Sequence, residues 1–161
     1  VTSDRWLGLG LLGAALLWLL GRRERPLIPS VTTSETFELP ATEYPAGLHR
    51  FANAIANAEG FFASDTVPVR ANNPGDLKLG PPTLGSTGIT VFDSAAAGWA
   101  ALKRQLGLIV TGSSKVYHLD MSIADMAASW TATEQSAWAS NVARYLGVTT
   151  DTRLVDLLLA A

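Results

Sequence analysis

Cysteine is absent from the 161-residue chain, which excludes thiol catalysis, disulfide bonding and Cys-ligated zinc. Histidine is nearly absent too. His49 and His118 lie far apart without metal-ligand spacing, so neither a metal site nor a cofactor is expected. Charge is sparse: Asp, Glu, Lys and Arg make up 16% of residues, the formal net charge is -2, and no long run of one sign occurs. The electrostatic footprint of a nucleic-acid binder is therefore missing, and nucleic acid is not an expected partner. Apolar residues are plentiful. At 48% hydrophobic content the chain is not disordered, and its length suits one domain with a single core plus an appendage.

The appendage stands at the N-terminal end. Residues 6 to 21, WLGLGLLGAALLWLLG, carry no charge and are followed at once by RRER. At about 1.5 Å per residue the run spans roughly 24 Å, short of a hydrocarbon core of roughly 30 Å but sufficient with thinning or snorkelling flanks. A cleaved signal would carry its positive charges before the apolar run, whereas Arg22, Arg23 and Arg25 follow it. A core helix apolar on every side would need a larger domain around it. Residues 1–25 are accordingly read as a membrane anchor, a single transmembrane helix with an Arg-rich flank, which makes a lipid membrane an expected partner. Residues 26–42 hold Pro26, Pro29 and Pro40 among Ser, Thr and Glu, and read as an extended tether.

Residues 43–161 read as a compact, mainly α domain. Helices are expected over 45–58, from Asp93 or Ser94 to about Thr111, from Ser122 through Trp130, and after Thr133 up to Gly147. A last helix is expected behind a cap at Asp151 or Thr152. Between residues 60 and 92, the pieces TVPVR and GITVF among Gly, Pro and Asn predict a small β-hairpin or loop region.

One residue breaks the first helix's pattern. Leu48, Phe51, Ala52, Ile55 and Glu59 fall on one stripe, so Glu59 points to the core side. Partial burial and the negative end of the helix dipole both favour its neutral form, Gly60 is the expected stop, and Phe61 with Phe62 are the expected apolar wall. A carboxylic acid that keeps its proton near neutral pH is the group needed to protonate a leaving glycosidic oxygen. The bland alternative is a solvated Glu at a frayed helix end. The following loop, VRANNPGDLK, places Asn72 and Asn73 where their amides could serve an N-acetyl group, although NNPG alone is an ordinary turn signal.

Taken in order, AEGFF, VRANNPGDL, GITVFDSAAAGWAAL and WTATEQSAWASNVARYLGV resemble the phage lysozyme-like family, with its EGF segment, NNPGNL loop, F…GWAAL helix and closing Y…LGV helix. The resemblance covers about residues 43 to 158. It implies a lysozyme-like α+β fold and cleavage of peptidoglycan glycan strands between N-acetylmuramic acid and N-acetylglucosamine, by a lytic transglycosylase or a muramidase. It matches Glu59 to the general acid, Asn72 and Asn73 to the loop lining the sugar cleft, and Phe92 and Trp99 to the core-packing segment. Two positions depart from the pattern. Asp76 stands where the family has Asn, and is either a candidate second carboxylate or an acceptor for loop backbone. Trp130 stands where the family has Tyr, and is either a sugar-stacking residue or core.

Arg residues after the anchor place the domain on the cytoplasmic side by the positive-inside rule. A wall-cutting enzyme finds no substrate there, unless the membrane is internal to a virion and the domain meets the wall during genome entry, with capsid or vertex proteins as neighbours. The rivals are a signal-anchor endolysin used in host lysis, and an inactive lysozyme fold serving as a structural or wall-binding part of the virion.

Overall fold

The computed structural model describes residues 44–161; the expected anchor (1–25) and tether (26–42) lie outside the described residues. Six helices follow one another: α1 (Ala46–Ala58), α2 (Val67–Arg70), α3 (Ala95–Val110), α4 (Ile123–Trp130), α5 (Gln135–Leu146) and α6 (Leu154–Leu158). The domain is mainly helical, and among the described residues there is no strand.

The apolar stripe of α1 is what the others gather around. Leu48, Phe51, Ala52 and Ile55 are fully inaccessible, and so are Ala54 and Ala56 outside that stripe. Small side chains at those extra positions let helices approach α1 from more than one side, and α3, α5 and α6 all pack on it. The core is completed by Leu102, Leu106 and Ile109 of α3, Ile123 and Met126 of α4, Val142 of α5, and Leu154 and Leu158 of α6. Helix starts are marked where a side chain can replace a missing backbone partner. Ser94 accepts from the Ala97 N–H at 3.2 Å, and Ser122 forms a reciprocal capping box with Asp125.

Two expectations need correction. The β-hairpin reduces to one antiparallel bridge, Thr83 with Thr90, beside a short 3-10 turn at Gly85–Thr87. The piece TVPVR is not extended but forms α2, because Pro68 in the first turn has its φ already set for a helix and lacks only an N–H that has no partner there. The last helix is preceded directly by Arg153, with no side-chain cap, rather than by Asp151 or Thr152. Among the described residues no helix is long and apolar enough to cross a membrane.

Candidate active site

Glu59 occupies the C-cap of α1, and the helix end is a Schellman turn. Gly60, at φ +80°, donates its N–H to the Asn57 carbonyl (3.1 Å), and Phe61 donates to the Ala56 carbonyl (2.8 Å). Only a residue without a Cβ enters that left-handed conformation freely, so Gly60 stops the helix one position after the carboxylate.

The Glu59 side chain reaches two indoles from elsewhere in the chain. Its Oε1 accepts from Trp130 Nε1–H at 3.0 Å and from Trp138 Nε1–H at 2.8 Å. Trp130 is the last residue of α4 and Trp138 lies in the first turns of α5, the helix most extensively packed on α1. The two rings lean together at 6.1 Å between centroids, and Tyr117 meets Trp130 at 5.6 Å. An aromatic row thus borders the carboxyl. It is not the expected wall: Phe61 and Phe62 instead pack against Trp99, at 5.7 and 6.3 Å, and Phe62 remains 59% exposed.

These surroundings set the protonation of Glu59. Burial pushes its pKa up, the Trp138 hydrogen bond opposes this, the negative charge of Asp76 raises it further, and the Trp130 hydrogen bond opposes again; the result is about 7. Both indoles are donors only, so they bind the carboxyl in either state.

Beside this cluster opens a cleft of about 600 Å³ lined by Asp76, Lys78, Gln105, Tyr117, Trp130 and Gln135 among others. Glu59 is not part of the lining; it reaches the cleft through Trp130, whose indole both lines the cleft and donates to the carboxyl. Asp76 is held at φ +47° and its carboxyl accepts no loop hydrogen bond: Oδ1 is buried without a partner. Burial lifts its pKa to about 6 against the opposing charge of Lys78. The backbone-acceptor role expected as one account of Asp76 is therefore not what its side chain does.

Both Asn residues bind loop backbone. Asn73, fully inaccessible, donates through Nδ2 to the Leu77 and Thr90 carbonyls and accepts the Leu77 N–H at Oδ1, each at 2.9 Å. Both its donors are spent, and no face of it meets the cleft. Asn72, at φ +51°, donates to the Phe92 carbonyl at 2.9 Å. Gly98 of α3 abuts this loop so closely that a Cβ would come within 1.8 Å of the Asn72 carbonyl oxygen. The NNPGD loop carries Asp76 to the cleft, and neither Asn72 nor Asn73 is part of the cleft lining.

No family model, no curated protein and no solved structure matches this chain. The site therefore rests on its own geometry. That geometry brings together Glu59, Asp76 and Trp130 and leaves Asn72 and Asn73 as scaffold. It also adds Trp138 and Tyr117, which no local pattern singles out in the sequence. One signal was available: a buried indole N–H needs an acceptor.

Proposed function

We propose that this chain is a peptidoglycan-cleaving enzyme of a phage, a lytic transglycosylase or muramidase on a lysozyme-like fold, with Glu59 as its general acid. The observation that carries the reading is a carboxyl with a pKa near 7, clasped by two indoles and joined through one of them to an aromatic-walled cleft. An acid of that strength is still substantially protonated at neutral pH, yet ionises readily enough to act afterwards as a base. Glu59 gives its proton to the glycosidic oxygen as the bond breaks. In the transglycosylase route the resulting carboxylate then takes the proton of the sugar's own 6-hydroxyl, which closes a 1,6-anhydro ring. In the muramidase route water is the acceptor of the sugar, and Asp76, which lines the cleft, is the candidate second carboxyl to help it. Trp130, half-buried in the cleft lining, supplies an aromatic surface for a pyranose, with the buried Tyr117 packed against it.

Digestion of purified peptidoglycan by the full chain and by Glu59→Gln, with mass spectrometry of the fragments, tests this. Cleavage abolished in the variant is expected. Anhydro ends identify the transglycosylase route and reducing ends the muramidase route. A second reading, a wall-binding protein without activity, is favoured by one observation: Glu59 lies outside the lining of the cleft. Equal inertness of both proteins, with retained binding to the wall, would establish it.

The proposed location rests on the sequence together with this function. The apolar run 6–21 with its RRER flank anchors the chain in the internal membrane of a virion, with the domain facing the cytoplasm during assembly and the cell wall during genome entry. Capsid or vertex proteins are its expected neighbours. Presence of the protein in purified particles is the expected result; its presence in infected-cell membranes alone would favour the lysis role.

A further inference from the structure

We propose that Trp138 is the positioning residue of Glu59: its fixed indole N–H, backed by that of Trp130, commits Oε1 as an acceptor and leaves Oε2 as the oxygen that carries and delivers the proton. This deepens the reading of Glu59 as a proton donor and rests on it for its consequence, though not for its test.

The argument is geometric. A neutral carboxyl has one hydroxyl and one carbonyl oxygen, and an oxygen that accepts two N–H donors at 2.8 and 3.0 Å is the carbonyl one, since a proton there would point at those donors. The proton therefore has one oxygen left. The two donors differ in kind. Trp138 is 5% exposed and held within α5 against the core, so its N–H stays in place whatever fills the cleft. Trp130 is half-buried and lines the cleft, so a ligand can displace it. Without Trp138 the carboxyl would have only the cleft-side donor and would be free to turn about its last torsion. Both bonds also strengthen when Glu59 ionises, because a charged acceptor binds N–H more strongly than a neutral one.

The charged side chain whose field raises the pKa of Glu59 is Asp76, on the loop that follows α2. Lys78 acts on Asp76.

The test needs no substrate, so it stands whether or not the protein cuts peptidoglycan. In the full chain, with labelled Glu carboxyl carbons and Trp indole nitrogens, NMR titration from pH 5 to 9 follows Glu59 and the Nε1–H groups together. The indole signals of Trp138 and Trp130 are expected to move with the midpoint of Glu59, that of Trp99 to stay flat, and both movements to vanish in Glu59→Gln. In Trp138→Phe, which keeps an aromatic ring and deletes the N–H, the Glu59 midpoint is expected to rise by about one unit. Asp76→Asn should lower that midpoint while Trp138 still follows it. A Trp138 indole that is flat while Glu59 titrates would overturn the proposal, as would an unmoved or lowered midpoint in a folded Trp138→Phe. If that variant does not fold, the wild-type indole signals decide by themselves.

Discussion

Glu59 and Asp76 are two carboxyls that the fold makes reluctant to ionise, and that reluctance has a consequence for stability. A pKa raised from 4.5 to about 7 means that the folded state binds the Glu59 proton more tightly than the unfolded chain does. The stabilisation is fully present below pH 4.5 and is lost progressively as pH rises towards 7. Asp76 adds to the same trend between 3.8 and about 6. Wild-type protein should accordingly lose on the order of 2 kcal/mol across this window, with the part exposure of Glu59 keeping the loss below the full linkage value. Glu59→Gln should flatten much of the slope, because its amide oxygen can still accept both indoles. Urea unfolding at pH 4.5 and pH 7 checks this, and identical slopes for the two proteins would refute it. Asp76→Asn removes a charge whose Oδ1 has no partner and substitutes a residue that tolerates positive φ better. It should stabilise the fold at pH 7 by about 1 kcal/mol, read as a higher midpoint of denaturation. At this scale Glu59 was legible from one strand of text, because its helical spacing is local. Its partners were not. Trp138 lies 79 residues downstream, and nothing local couples an indole in one helix to a carboxyl at the end of another.

At the scale of elements, α1, α3, α4 and α5 were legible because each carries an apolar face of regular spacing and a recognisable start or stop; Ser94, Ser122, Gly60 and Gly147 stand at such ends, whereas α6 begins at Arg153 without a side-chain cap. The region between α1 and α3 was not legible in the same way. Its order comes from scattered cross-links rather than a regular β ladder: backbone bonds such as Thr90 N–H to the Leu77 carbonyl (2.9 Å) and Val91 N–H to the Pro82 carbonyl (2.8 Å), joined by single side chains. Asn73 joins residue 77 to residue 90, and the Thr90 hydroxyl accepts the Leu79 N–H at 2.8 Å while donating to the Gly80 carbonyl at 2.9 Å. A short β-branched run signals extension equally well whether or not a partner strand exists, so the hairpin expectation had no means of seeing these substitutes. Asn73→Ala leaves the Leu77 N–H and the Thr90 carbonyl without the partner that Asn73 supplies, while the Leu77 carbonyl keeps the Thr90 N–H, and should cost about 2–4 kcal/mol. Gly98→Ala drives a methyl into the Asn72 carbonyl and should cost about as much or more. For both, hydrogen exchange should show protection lost across residues 72–92 before it is lost in α1; uniform loss over the whole domain would contradict the view that these residues secure the loop in particular.

For the whole molecule, packing on α1 sets the acid at the one place where α4 and α5 deliver indoles and the 72–77 loop delivers a second carboxyl. The pH dependence of any cleavage should report that assembly. Activity needs protonated Glu59 at the start of each turnover, so it should fall as pH rises through about 7. If Glu59 works alone, as both acid and base, Asp76 contributes only its field. Asp76→Asn then removes a negative neighbour, makes Glu59 easier to ionise, and moves the alkaline limb of the profile to lower pH while leaving substantial activity below it. If Asp76 instead activates water, wild type should show an acid limb near 6, where Asp76 gains its proton, and the variant should be as inactive as Glu59→Gln. Retained activity with a downward-shifted alkaline limb is the expected outcome, because the buried, unpartnered Oδ1 and the Lys78 charge leave Asp76 poorly placed to accept a proton from a cleft water. A profile measured on soluble glycan fragments for wild type and Asp76→Asn separates the cases, and complete loss in the variant would assign the second catalytic role to Asp76.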